Sequence, residues 1–105
     1  MANIKKYKII VSNKAKQILD THIRFIANVN KEAAKAEKSK IISAIHSLSQ
    51  MPNRFPFLEE PYIIPNKYHK MFVEKQYLII YMIQDDIVYV DYILDCRKDY
   101  SWFIH

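Results

Sequence analysis

Not one of the 105 residues is glycine. Average usage of about 7% would put roughly seven in a chain of this length. Glycine enters left-handed backbone without steric cost, so each tight turn here must be made by some other residue. Asn and Asp tolerate that region best among the rest, and proline fixes turns through its ring. Turns are therefore expected at Asn, Asp and Pro clusters. The absence also removes whole classes of function. There is no Gly-rich phosphate loop, no dinucleotide-binding fingerprint and no EF-hand calcium loop.

The segments between those clusters are strongly patterned. Residues 4–11 are β-branched and aromatic with interspersed lysines, which predicts a strand. Ser12 or Asn13 then caps a helix by accepting from an orphan amide of its first turn. Ala15, Ile18, Leu19, Ile23 and Ile26 form a helical stripe, with His22 on it and so partly buried. Asn28-Val29-Asn30 should end that helix, with an Asn in the left-handed position. Asn30 caps the next, and Glu32 faces the positive end of its dipole. The second helix is expected over 31–49, with Ala34, Ile41, Ala44, Ile45 and Leu48 inward. Pro52 stops it. A short link makes the pair an antiparallel hairpin.

All four prolines fall in residues 51–66, an apolar connector between elements. Strands follow at 68–73, 77–83 and 87–94. Gln84-Asp85-Asp86 turns between the last two, with the left-handed residue expected at Asp86. The resulting fold class is α+β: an N-terminal strand, an antiparallel helical hairpin and a three-stranded antiparallel meander, in two layers. One sheet face lies under the helices, and the other is expected to be open to a partner. Residues 1–105 are expected to form a single domain, as the length suggests.

Charge is uneven along the chain. Residues 1–50 carry ten basic and three acidic groups, while residues 84–105 carry two and five. A basic half suits an acidic partner, nucleic acid or protein; a solvated lysine face is the plainer alternative. Cys96 is the only cysteine, which excludes an intramolecular disulfide and fits a reducing compartment. No apolar run approaches the length of a membrane span, and the first residues lack a signal-peptide core. A cytoplasmic location without membrane association is expected. Four scattered His residues make no metal site, and no cofactor is expected.

The order of these segments resembles the RelE/ParE superfamily of bacterial type II toxin–antitoxin toxins. The likeness runs through Tyr7-Lys8-Ile9-Ile10-Val11-Ser12, then Phe25-Ile26-Ala27 and Asn30-Lys31-Glu32-Ala33-Ala34 about the helical link. It continues through Ser47-Leu48-Ser49-Gln50-Met51-Pro52, Tyr77-Leu78-Ile79-Ile80-Tyr81 and Asp95-Cys96-Arg97-Lys98-Asp99-Tyr100. It implies a two-layer RelE/ParE-like fold and a toxin neutralised by a cognate antitoxin with an acidic binding segment, in a hetero-oligomer. It also implies one of two targets. RelE-like members cut mRNA on the ribosome, and ParE-like members poison DNA gyrase.

The residues favour the second branch. RNA cleavage needs a base, an acid and cations around the phosphate. An ungapped match puts His69 and Met71 where RelE carries lysines, and Leu78 where it carries an arginine. Alternation on the strand places Leu78, Ile80 and Met82 together. If Tyr77, Ile79, Tyr81 and Ile83 face the helices, the open face is apolar at its centre, which suits a protein better than a phosphate backbone. Leu78, Ile80 and Met82, with Lys31, Lys35 and Lys38 on the hairpin, are therefore the candidate antitoxin- or target-binding residues. For the endonuclease alternative the candidates are His69 as base, Arg97 and Lys98 on the phosphate, and Tyr100 as acid or stacking platform. Each has a structural alternative: a surface strand residue for His69, an ion pair to Asp95 or Asp99 for Arg97, and cover for the sheet end for Tyr100, Trp102 and Phe103. A third reading is a module that binds its antitoxin without being toxic.

Overall fold

The computed structural model of the chain describes residues 5–74 and 76–96. Strand β1 spans Lys8–Val11, followed by helices α1 at Asn13–Ala27 and α2 at Lys31–Ser47. A single 3-10 turn follows at Pro52–Arg54, then β2 at His69–Val73, β3 at Tyr77–Gln84 and β4 at Ile87–Asp95. The sheet order is β1-β4-β3-β2. The meander is antiparallel, but β1 lies parallel to β4, with Lys8 opposite Ile87 and Val11 opposite Val90. Such a pair needs a crossover, and the helical hairpin carries the chain from β1 across to β2, from which the meander returns β4 to the side of β1.

Both helices begin as their sequences dictate. The Ser12 side chain accepts from the amide of Ala15 at 3.0 Å, and its hydroxyl donates to the Asp91 carbonyl at 3.1 Å. This one residue therefore starts α1 and ties it to β4. The Asn30 side chain accepts from the amide of Ala33 at 3.0 Å, with Glu32 in the first turn of α2. The link between the helices differs from expectation. Asn28 is right-handed (φ −64°, ψ −23°), and its amide donates back to Arg24. The hairpin closes without any left-handed residue, so glycine was never needed there.

Among the described residues the left-handed ones are Met51, Asn66, Glu74 and Asp85. In the last hairpin the strained position is Asp85 (φ 56°) and not Asp86. Asp86 instead pairs with Lys5 at 2.7 Å.

Between helices and sheet lie Ala15, Ile41, Ile45 and Leu48 against Met71, Val73, Tyr77, Ile79, Tyr81, Val88, Val90 and Ile93, all buried. Tyr77, Ile79 and Tyr81 thus face the helices as the strand pattern requires. The other face is not open. Leu78, Ile80 and Leu94 form a second buried cluster with Leu58, and Ile63, Tyr68, Tyr92 and Cys96 pack against it. The connector returns over the sheet: the Leu58 amide donates to the Tyr68 carbonyl at 2.7 Å and the Lys70 amide to Pro56 at 3.0 Å. Its Leu58 and Ile63 are a lid on the sheet's far face, while Phe55 packs against the helix-side cluster.

Candidate functional site

His69 is buried, with 7% of its surface exposed. Its strand pairs with β3 so that His69 stands opposite Tyr81, on the helix-facing side. The ring stacks on Tyr81 (centroids 5.2 Å apart, planes 13° apart) and lies 4.3 Å from the Phe57 ring. Its Nδ1 is 2.8 Å from the Phe55 carbonyl oxygen. A carbonyl only accepts, so Nδ1 carries the proton. This is a structural histidine clamped between the connector and the sheet, neither a surface residue nor a base on an open face. Met71 is buried on the same side. A one-residue difference of register exchanges the faces of a strand. The outward residues of β2 are Lys70, half-buried, and Phe72, exposed.

Neighbouring Tyr81 sends its hydroxyl to the Pro52 carbonyl at 2.6 Å. Burial pushes its phenol well above the usual range. On the far face the Tyr68 hydroxyl donates to Asp91 Oδ2 at 3.0 Å. Burial first, and then that bond, push the Tyr68 phenol up to about 12. Asp91 sits where the register between β3 and β4 shifts, beside Ile80 and Tyr81. Burial, and next the Asp95 carboxylate, push the Cys96 thiol up, which disfavours the thiolate needed for nucleophilic chemistry.

Leu78 and Ile80 have no exposed surface. They are core residues, so the sequence-based expectation that they meet a partner directly is corrected. Met82, beyond the connector's cover, is half-buried. Lys31, Lys35 and Lys38 are all exposed on α2. They follow one another at i, i+4 and i+7, which sets them along one stripe. Lys40 instead pairs with Glu37 and with Glu74 at the β2–β3 turn, at 3.7 and 3.3 Å. Arg97, Lys98 and Tyr100 lie outside the described residues, as do Trp102 and Phe103.

A polar cluster emerges that sequence reasoning did not join. His22 Nε2 is 2.8 Å from the Tyr77 hydroxyl, and His22 Nδ1 is 3.6 Å from Asp95 Oδ2. His22 comes from α1, Tyr77 from the start of β3 and Asp95 from the end of β4, so they meet only once the sheet is built. Together with Ile18, Phe25 and Ile93 they line a cavity of about 540 Å³ beside α1. The signal in the sequence was a histidine on an otherwise apolar helix stripe. Arg54 was also missed. Its Nη1 donates to the carbonyls of Gln50 at 2.6 Å, Met51 at 3.1 Å and Ser47 at 3.3 Å, and Nη2 to Ser47 Oγ at 2.9 Å. It caps α2 from outside the helix. Among the described residues no group of His, Cys, Asp and Glu is arranged to hold a metal ion, and no helix is long and apolar enough to cross a membrane.

A helical crossover laid on a β1-β4-β3-β2 sheet defines the architectural class, and solved structures share it. The chain is similar to a chain of the chromosomal ParDE toxin–antitoxin system from P. aeruginosa, with a TM-score of 0.69 and 15% identity. The match covers 87% of this chain and 97% of that one. At that identity the likeness concerns the fold. No curated protein matches the chain. The family described as ParE toxin of type II toxin–antitoxin system, parDE, matches residues 9–100. The chain belongs to the ParE toxin family, within the RelE/ParE superfamily.

Proposed function

We propose that the chain is neutralised by a cognate antitoxin and acts as a binding inhibitor of DNA gyrase. Membership of the ParE family over residues 9–100 is the observation that carries this reading. The state of His69 supports it from the chemical side. A base for a ribose 2′-hydroxyl must come within hydrogen-bond reach of it. Here the only histidine on the meander strands is enclosed by Phe57 and Tyr81, with Nδ1 held on Phe55.

Lys31, Lys35 and Lys38 supply an exposed cationic stripe for the acidic segment of an antitoxin. Such segments fold on binding and lay an extended or helical stretch across the toxin. Met82 adds a partly exposed apolar contact at the far end of β3. Leu78 and Ile80 take part only by holding that strand in place.

Purified chain should inhibit supercoiling by gyrase or trap its cleaved-DNA complex, and the antitoxin encoded beside it should reverse the effect. New mRNA 5′ ends after induction, with gyrase untouched, would replace this reading by the ribosome-dependent endonuclease. Replacing Lys31, Lys35 and Lys38 together by Gln should weaken antitoxin binding and make what remains less sensitive to salt. An unchanged affinity would remove the stripe from the interface.

A further inference from the structure

We infer that the cleft at the foot of the helical hairpin is a docking site for an acidic peptide segment bearing one large apolar side chain. This site is separate from the lysine stripe of α2, which lies toward the other end of the hairpin. It does not depend on gyrase being the target. The cleft holds about 620 Å³ between Lys5 and Tyr7 on one side and Gln50, Met51, Pro52 and Arg54 on the other.

Three observations converge on it. First, Met51 is left-handed (φ 50°, ψ 53°). Unlike Asn66 or Asp85, it has no side chain suited to that region. Strained residues persist only where the surroundings over-determine them, and they gather at functional sites. The surroundings here do so: Arg54 binds the carbonyls of Gln50 and Met51, Tyr81 binds that of Pro52, and the Tyr7 amide donates to Ser49 at 2.8 Å. Second, the rigid turn pushes the Met51 side chain outward, where 70% of the residue's surface is exposed. An adaptable thioether on a fixed backbone is a surface that moulds to an apolar partner.

Third, among the described residues the lining carries two cations, Lys5 and Arg54, of which Lys5 is offset in part by the Asp86 carboxylate beside it and Arg54 is not paired with an acid. Lys5 is bonded to Asp86, which occupies one of its three donors. Arg54 also lies over the Phe55 ring, 4.6 Å from its centre. The potential at the cleft therefore favours an anionic segment. Its apolar residue would seat on Met51 and Tyr7, with flanking carboxylates toward Lys5 and Arg54.

The test uses the full chain, isotope-labelled, with the synthetic peptide acetyl-Glu-Glu-Leu-Phe-Glu-Glu-amide and its Gln-for-Glu analogue. Saturable amide shifts are expected at Tyr7, Gln50, Met51 and Asn53 with the acidic peptide. The analogue should bind about tenfold more weakly. Met51→Gly relieves the backbone and removes the contact. Its melting temperature should hold or rise while its Kd weakens by about tenfold, and Met51→Leu should regain most of the affinity. No saturable binding, shifts centred elsewhere, equal binding of the analogue, or an unchanged Kd in Met51→Gly would each overturn the site.

Discussion

The last hairpin turns at Asp85, where φ is 56°. Asp tolerates this region less well than Gly. Asp85→Gly should therefore be neutral or stabilising by up to about 1 kcal/mol, read as a rise in melting temperature. Asp86→Gly should not stabilise, because the neighbouring residue carries no positive φ and loses its ion pair to Lys5. A reversed ranking would mean that the turn is built differently. At Tyr81 the stake is larger. Tyr81→Phe leaves the Pro52 carbonyl without its 2.6 Å donor in a buried place, which should cost about 1–3 kcal/mol in denaturant unfolding. A loss below a few tenths would mean that water replaces the hydroxyl. Tyr68 makes a prediction about pH. Its phenol is pushed up to about 12 in the folded chain from an ordinary value of 10.0. Below pH 10 both states keep the proton and stability is intact. Between pH 10 and 12 the unfolded state releases it first, so stability falls. The fall in the urea midpoint over that window should be smaller in Tyr68→Phe, and an equal fall would contradict the assignment.

Among the elements, α1 depends most on one side chain. Ser12 caps the helix and also donates to Asp91 of β4. The Asn30 side chain caps α2 through a bond to Ala33 that stays within the first turn of that helix. Ser12→Ala should therefore cost more than Asn30→Ala, about 1–2 kcal/mol against about 1. Equal losses would show that the Asp91 bond contributes nothing. These caps were legible in the sequence because they are local: an acceptor side chain followed by a helical stripe. The three meander strands were legible for the same reason, each within a residue of its span, whereas β1, expected over 4–11, is the shorter Lys8–Val11. What was not legible is what depends on pairing. The parallel lie of β1 beside β4 joins residues about eighty positions apart, such as Lys8 and Ile87. His69 faces the helices because it stands opposite Tyr81, a register that no local pattern records. The connector illustrates the same point. Phe57, Leu58 and Ile63 read as apolar loop, yet only the folded chain shows that Leu58 buries Leu78, Ile80 and Leu94.

For the whole molecule, that buried far face changes how a partner must bind. The apolar centre of β3 first suggested a ready docking face. Its Leu78 and Ile80 are instead interior, so the proposed recognition is assigned to what remains outside: the lysine stripe of α2, Met82 and the cleft about Met51. The proposed action by binding rests on the ParE family match and on the enclosure of His69. The most direct measurement is a supercoiling and DNA-cleavage assay with purified gyrase and increasing amounts of this chain. Dose-dependent inhibition or accumulation of cleaved DNA, reversed by the antitoxin, is the predicted result. Unimpaired gyrase at saturating chain would contradict the account.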